Sequence, residues 1–386
     1  MNAMRFLSIL ILASLTLPPG LASGQAPDSV ITLLFAGDIM CHDMQLASAR
    51  NDSTGAYHFD GVFDYIAPVL SDSDIAIGNL EVTLGGAPYT GYPAFSAPDD
   101  LAASCMKAGF DVLVTANNHS ADRRGAGITR TIRVLDSLGM PHTGTWVNSE
   151  ARDTLSPLMI SGNGMRIALL NYTYGTNGII VNPPPLVAYI DTLRIAGDVK
   201  KAREKNADIT IVFIHWGNEY DTLPSPAQKK TAQAIIRAGA GMIIGSHPHV
   251  IQPMTWLSDS SGAARPVVWS MGNFVSNQRR RRTDGGAMTK FELTRTNGEV
   301  KITSSEYILT WVYTPVINGK KQFQILPCSL YEDNPEFFHS PSDYSAMKLF
   351  VSDARRLLDG SNSGFGELIN AGGGLIEATR QTVTDN

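Results

Sequence analysis

The sequence predicts a layered α/β fold, with mixed β-sheets flanked by helices and a β-rich extension at the C-terminal end. Three observations carry that expectation. Short apolar runs (ITLLFAG, DIAIGNL, DVLVTAN, ITIVFI and GMIIGS) alternate with stretches of helical periodicity. Each run ends in a residue able to hold a metal, and ligands of open α/β sheets gather beyond the carboxyl ends of the strands. After Phe274 the texture changes to the apolar–polar alternation of antiparallel strands.

The elements follow in order. A first strand ends at Gly37-Asp38, and a polar, irregular stretch covers 51–58. A helix is expected near 62–70 and a strand at 74–78. The Gly- and Pro-rich segment 85–98 is a loop long enough to be functional. Asp99 or Asp100 opens a helix that stops at Gly109. A strand at 111–115 and a helix at 127–138 follow, the latter closed by Gly139 with Pro141 just beyond. Residues 159–160 and 166–172 read as a hairpin turning at Asn163-Gly164. The Pro-rich stretch 177–189 is looplike. Helices at 194–205 and 226–238 alternate with strands at 209–214, 242–244 and 267–270. In the extension, 290–294, 301–303, 307–313 and 323–326 read as strands and 344–358 as an amphipathic helix. Residues 371–386 look like a frayed tail. The domain reading is therefore 1–25 a signal peptide, 26–277 the α/β domain and 278–386 the extension.

The chain has 386 residues, 43% of them hydrophobic, which is ample for a large core. Its net charge of -5 gives no basic surface for nucleic acid. Arg279 to Arg282 is the one dense charge run. Its ordinary reading is a solvated loop; its sharper reading is an anion-gathering lip beside the active site. At the N-terminus, Arg5, an apolar stretch over 6–17 and the small residues Ala22-Ser23-Gly24 read as an export signal. The apolar stretch is short for a membrane span. An exported protein in the periplasm or at the cell surface is expected. The three cysteines, Cys41, Cys105 and Cys328, have no CxxC spacing and make no disulfide framework.

The candidate ligands form one set. Asp38, Glu81, Asn118, His215, His247 and His249 each follow or end an apolar run. Any one alone is a polar cap, turn former or surface residue; their coincidence at one end of a sheet is what demands a site. Carboxylate, amide and imidazole donors suit borderline ions such as Zn, Mn or Fe. Two-metal sites hold their ions roughly 3.5–4 Å apart and use one shared carboxylate, a part Glu81 can fill. Gly37 is read as letting the backbone pass close to the ion. His247 and His249, two apart with Pro248 between them, are read as an extended segment with both rings on one side. Arg123 or Arg124 could clamp a phosphate or carboxylate. Glu219 and Tyr220, just past His215, could touch substrate or orient that ring, and Asn273 could line the pocket.

Six blocks in order, Gly37-Asp38-Ile39-Met40, Gly78-Asn79-Leu80-Glu81, Ala116-Asn117-Asn118-His119, the His215–Tyr220 block, the Gly245–His249 block and the Ser270–Phe274 block, resemble the CapA/PgsA family of bacterial capsule-synthesis, poly-γ-glutamate-associated proteins. The resemblance spans about 31–277 and implies a variant of the calcineurin-like metallophosphoesterase fold, a sandwich of mixed sheets flanked by helices. It implies two divalent metal ions, with Asp38 the first ligand, Glu81 the bridge, and Asn118, His215, His247 and His249 completing the set. It implies His119 as an acid at the leaving group; Arg123 and Glu219 are read beside it as supporting catalytic residues. The superfamily's Asp-x-His is altered here: His42 lies four residues after Asp38, which leaves its place among the ligands to be settled by geometry. The implied function is phosphoryl or acyl hydrolysis or transfer in cell-envelope polymer metabolism. Its expected partners are an envelope or capsular polymer or phosphoester substrate and membrane-bound biosynthesis proteins. The alternative is a non-catalytic scaffold or binding protein for export or attachment of an anionic polymer.

Overall fold

The computed structural model describes residues 29–370 and 375–377. The signal peptide expected over 1–25 lies outside them, as does most of the expected tail. Leu375–Glu377, within that tail, pairs antiparallel with Gly366–Asn370. Among the described residues, no helix is long and apolar enough to cross a membrane.

Two mixed sheets make the frame. In the first, Ser29–Ile39 has Ile75–Leu80 parallel on one side and Gly285–Thr296 antiparallel on the other. Val112–Val114 and His142–Thr143 extend one edge, and Glu299–Tyr313 extends the other. In the second, the order is Met254–Ser258, Ala264–Val268, Met242–Ser246, Ile209–His215, Met165–Thr173 and Leu158–Gly162. The hairpin expected at Asn163-Gly164 joins the last two.

Period-two alternation explains why the strands read as unbroken apolar runs: both faces are covered. Ile31, Leu33 and Phe35 enter the core between the sheets together with Ile77, Leu169, Ile211, Phe213 and Ile244. Leu34 and Ala36, on the opposite face, pack under the helices of the first sheet with Leu101 and Leu135. Val212, Ile214 and Ile243 do the same for the second sheet, against Ile195, Val199, Ile235 and Ile236.

The helix stops follow the sequence. Asp100–Ala108 ends at Gly109 (φ 113°) and Arg124–Leu138 at Gly139 (φ 70°), both left-handed positions that glycine occupies without strain. Ser225 caps Pro226–Arg237 with a hydrogen bond from the Gln228 N–H. The single helix expected near 62–70 is instead two short ones, Asp60–Phe63 and Ala67–Ser71, with Pro68 in the first turn of the second. The helices Asp43–Ala49 and Ser149–Leu155 were not anticipated.

Candidate metal centre

The carboxyl ends of both sheets meet at one buried point. Asp38 lies in the last turn of pleat of Ser29–Ile39, and Glu81 follows Ile75–Leu80 directly. Asn118 follows Val112–Val114 by four residues. From the second sheet come His215, the last residue of its strand, and His247 and His249 just past Met242–Ser246. All six side chains are buried.

Glu81 stands between two groups of ligand atoms. Glu81, His215 and His247 form one; Asp38, Glu81 and His249 form the other, with the atoms of each group within 4.8 Å of one another. In the first, Asn118 Oδ1 is 2.8 Å from His215 Nε2, and His247 Nδ1 is 3.1 Å from the same nitrogen. In the second, His249 Nδ1 is 3.2 Å from Asp38 Oδ2 and 3.1 Å from Asn273 Oδ1. Separations near 3 Å are those of donors arranged around a shared cation, whose own bonds to nitrogen and oxygen are about 2.0–2.2 Å.

The test of fit is Glu81. It is 0% exposed, yet neither carboxylate oxygen receives a hydrogen bond. His215 Nε2 stays 3.5 Å away and His249 Nε2 3.9 Å. A buried carboxylate without donors is costly, and burial, then the neighbouring Asp38 charge, push its pKa well above the usual carboxylate range. Cations on either side would satisfy both oxygens at once. The imidazoles are prepared as neutral ligands. Burial, then His247 and His249, depress His215 strongly, and burial, then His249, pushes His247 down to about 3. Ser246 Oγ is 3.0 Å from His215 Nδ1, a partner that leaves Nε2 facing the group.

The two-residue spacing of His247 and His249 works differently from the extended segment expected. Their φ values are 102° and 58°, left-handed for both. Non-glycine residues held there mark an over-determined, functional backbone. The two rings nevertheless face one site: their centroids lie 5.8 Å apart, and each belongs to a donor group that includes Glu81. Gly37 also has another reason: a Cβ there would meet the Gly272 carbonyl oxygen at 2.0 Å. Its close approach is to the backbone at Gly272, whose carbonyl oxygen also fixes Asp38 by accepting its N–H at 3.1 Å.

Four further residues fall around the cluster. His119 is buried, its Nδ1 2.7 Å from Asp122 Oδ2. Asp122 Oδ2 also accepts the Phe95 N–H at 2.7 Å, so the carboxylate and the ring are both held. His42 belongs to neither ligand group. Its Nδ1 faces Gln45 Oε1 at 3.2 Å and accepts the Asn277 N–H at 3.3 Å. It stands at the N-cap of Asp43–Ala49. The Arg123 guanidinium is committed to the 85–98 loop, donating to the Pro88 carbonyl at 2.9 Å and Thr90 Oγ1 at 2.7 Å. Glu219 is exposed beside Tyr220, whose phenol pKa is raised by burial and then by the Glu219 charge.

Sequence reasoning gave no role to Asn79, Ser246, Asp122 or Tyr174. Asn79 Nδ2 donates to Asp38 Oδ1 at 2.8 Å and lies 3.2 Å from His215 Nδ1, tying ligands of the two sheets together. Its signal was available: it sits two residues before Glu81 in an otherwise apolar strand. Tyr174 covers His247, ring centroids 4.5 Å apart.

Two face-packed mixed sheets, with carboxylate, amide and imidazole donors converging from the carboxyl ends of both, define an α/β sandwich with a candidate metal site. The chain belongs to the bacterial capsule synthesis protein PGA_cap family, whose model matches residues 32–278. It is 30% identical over 279 residues to the capsule biosynthesis protein CapA of Bacillus anthracis, covering 69% of this chain and 65% of that one. It thus spans less than two thirds of that relative's length. It is 27% identical over 320 residues to the PGA biosynthesis protein CapA of Bacillus subtilis (strain 168), covering 80% and 74%. Its shape overlaps that of the calcineurin-like phosphoesterase YfkN of Bacillus subtilis with a TM-score of 0.44 and 12% identity, over 73% of this chain and 90% of that one. That overlap is too loose to add to what the site and the family say.

Proposed function

We propose that this is an exported capsule-biosynthesis protein of the CapA type whose cluster holds two divalent cations and hydrolyses or transfers a phosphoryl or acyl group of an envelope polymer. The observation that carries the proposal is Glu81, buried between two donor groups with both oxygens unpartnered. Bound there, Mn, Zn or Fe would supply Lewis acidity and an activated water.

The chain's own residues do the rest. Asp38, Asn273 and His249 hold one side of Glu81; Asn118, His215 and His247 hold the other. Asn79 and Ser246 fix the ligand orientations. Asp122 holds the Nδ1 proton of His119, which presents Nε2 as the proton donor to a departing oxygen. The capsule and PGA biosynthesis roles of the Bacillus relatives favour an anionic envelope polymer as the setting.

The test is metal content by elemental analysis after reconstitution, with turnover of a chromogenic phosphodiester in added Mn or Zn. Two bound ions and metal-dependent turnover are expected. Bound metal without turnover of any phosphoryl or acyl ester would favour a binding or scaffold role, and a protein that takes up no metal would refute the proposal.

A further inference from the structure

The arginine run resolves into four different fates. Arg279 lies over the Trp311 ring at 5.6 Å and donates to the Val312 carbonyl at 2.9 Å. Arg281 makes a two-point pair with buried Asp353, at 2.6 and 2.7 Å, on the helix Pro341–Ser361. Arg282 approaches the same carboxylate at 3.5 Å. Arg280 alone goes toward the metal cluster. Its guanidinium sits 4.9 Å above the Tyr220 ring, and that ring is 6.4 Å from His249.

The placement is built. The Arg280 carbonyl accepts both the Thr283 N–H, at 3.0 Å, and its hydroxyl, at 2.9 Å. The Thr283 carbonyl in turn accepts Asn273 Nδ2 at 2.8 Å, and Asn273 Oδ1 contacts His249. The loop bearing Arg280 is therefore tied to the cluster at one end and to the C-terminal helix at the other. Among the described residues, no carboxylate lies within ion-pair distance of Arg280; Glu219, beside Tyr220, does not reach it. A guanidinium held on an aromatic face keeps its donor edge free, and that edge matches carboxylate and phosphate oxygens in two-point geometry.

We propose that Arg280, seated on Tyr220, is a specificity-determining residue that receives a second anionic group of a substrate whose first group lies at the metal cluster. The inference rests on the reading of the cluster as a cation site. The substrate class is an anion with at least two separated charged groups, either carboxylates or phosphates.

The experiment begins with Mn titration of the full chain and of Arg280→Ala, followed by calorimetry of the loaded proteins. The probes are glutarate and 1,3-propanediol bisphosphate, with butyrate and methyl phosphate as their one-group counterparts. Equal Mn uptake by both proteins is expected, and it also shows that the variant is folded. The wild type should bind at least one two-group probe roughly tenfold or more tightly than its counterpart. Arg280→Ala should lose that advantage and Arg280→Lys should retain part of it. The probe that shows the advantage identifies carboxylate or phosphate as the second group. Equal binding of the two-group probes by wild type and Arg280→Ala, with Mn bound, overturns this inference alone. Failure to bind Mn at all overturns the cation-site reading itself, and this inference with it.

Discussion

Asp38 and Glu81 lie side by side, both 0% exposed, and respond to burial in opposite ways. Burial pushes Asp38 up, but the His249 hydrogen bond and charge and the Asn79 amide pull it below its ordinary value. Glu81 has no such donors and is raised. A carboxyl group with a raised folded pKa contributes its full stability below the unfolded value, near 4.5, and loses it as pH climbs toward the folded value. Metal-free Glu81→Gln should therefore match the wild type in thermal stability below about pH 4.5 and exceed it increasingly as pH rises above that. Melting curves of both proteins in chelator across that range check this, and a constant gap would refute it. With metal supplied, the same variant should bind fewer ions, read by elemental analysis. His119→Ala should keep its metal and lose turnover by about a hundredfold or more, measured as kcat at saturating substrate. The candidate ligands were legible because each follows or ends an apolar run. Asn79 was legible only as a polar residue in an apolar strand; its bridging role was not, because it joins two sheets that meet only in three dimensions.

At the level of elements, strands and helix stops were largely readable, because local chemistry sets them: Gly109 and Gly139 end their helices, and Asn163-Gly164 turns its hairpin. What was hidden is where chains touch. The register between Ser29–Ile39 and Ile75–Leu80 slips between Ala36 and Asp38, and Asp38 is thereby aligned with Asn79 on one side and Asn273 on the other. No local pattern encodes such a slip, since it is decided by pairing across long separations. Gly37 sits inside it, against Gly272. Gly37→Ala would drive its Cβ into the Gly272 backbone, where no flexible side chain can yield. A destabilisation of about 2 kcal/mol or more is expected, together with weakened metal binding as Asp38 moves. Denaturant unfolding and metal titration of that variant measure the two effects. Unchanged values for both would show that the strand relaxes freely there.

For the whole molecule, the change of texture near residue 277 marks a change of strand direction within one sheet. Gly285–Thr296 pairs with Ser29–Ile39 from Ser29↔Arg295 to Phe35↔Thr289, and Glu299–Tyr313 pairs with it in turn. Such pairing joins residues more than 250 positions apart, which is why composition and periodicity divided the chain there while the fold does not. Phe291, Leu293, Tyr307, Leu309 and Trp311 all enter the core between the sheets. Deleting even one large core side chain typically costs about 2–5 kcal/mol, against a total stability of about 5–15 kcal/mol for a domain. A chain ended at residue 278, the limit of the family match, would lose all five and leave the Ser29–Ile39 strand with an open apolar edge. It should be recovered as aggregate or, if soluble, without cooperative unfolding or metal uptake. A soluble, cooperatively folding chain 29–278 that bound two ions would mean that the C-terminal extension contributes only the Arg280 lip and no part of the foundation beneath the site.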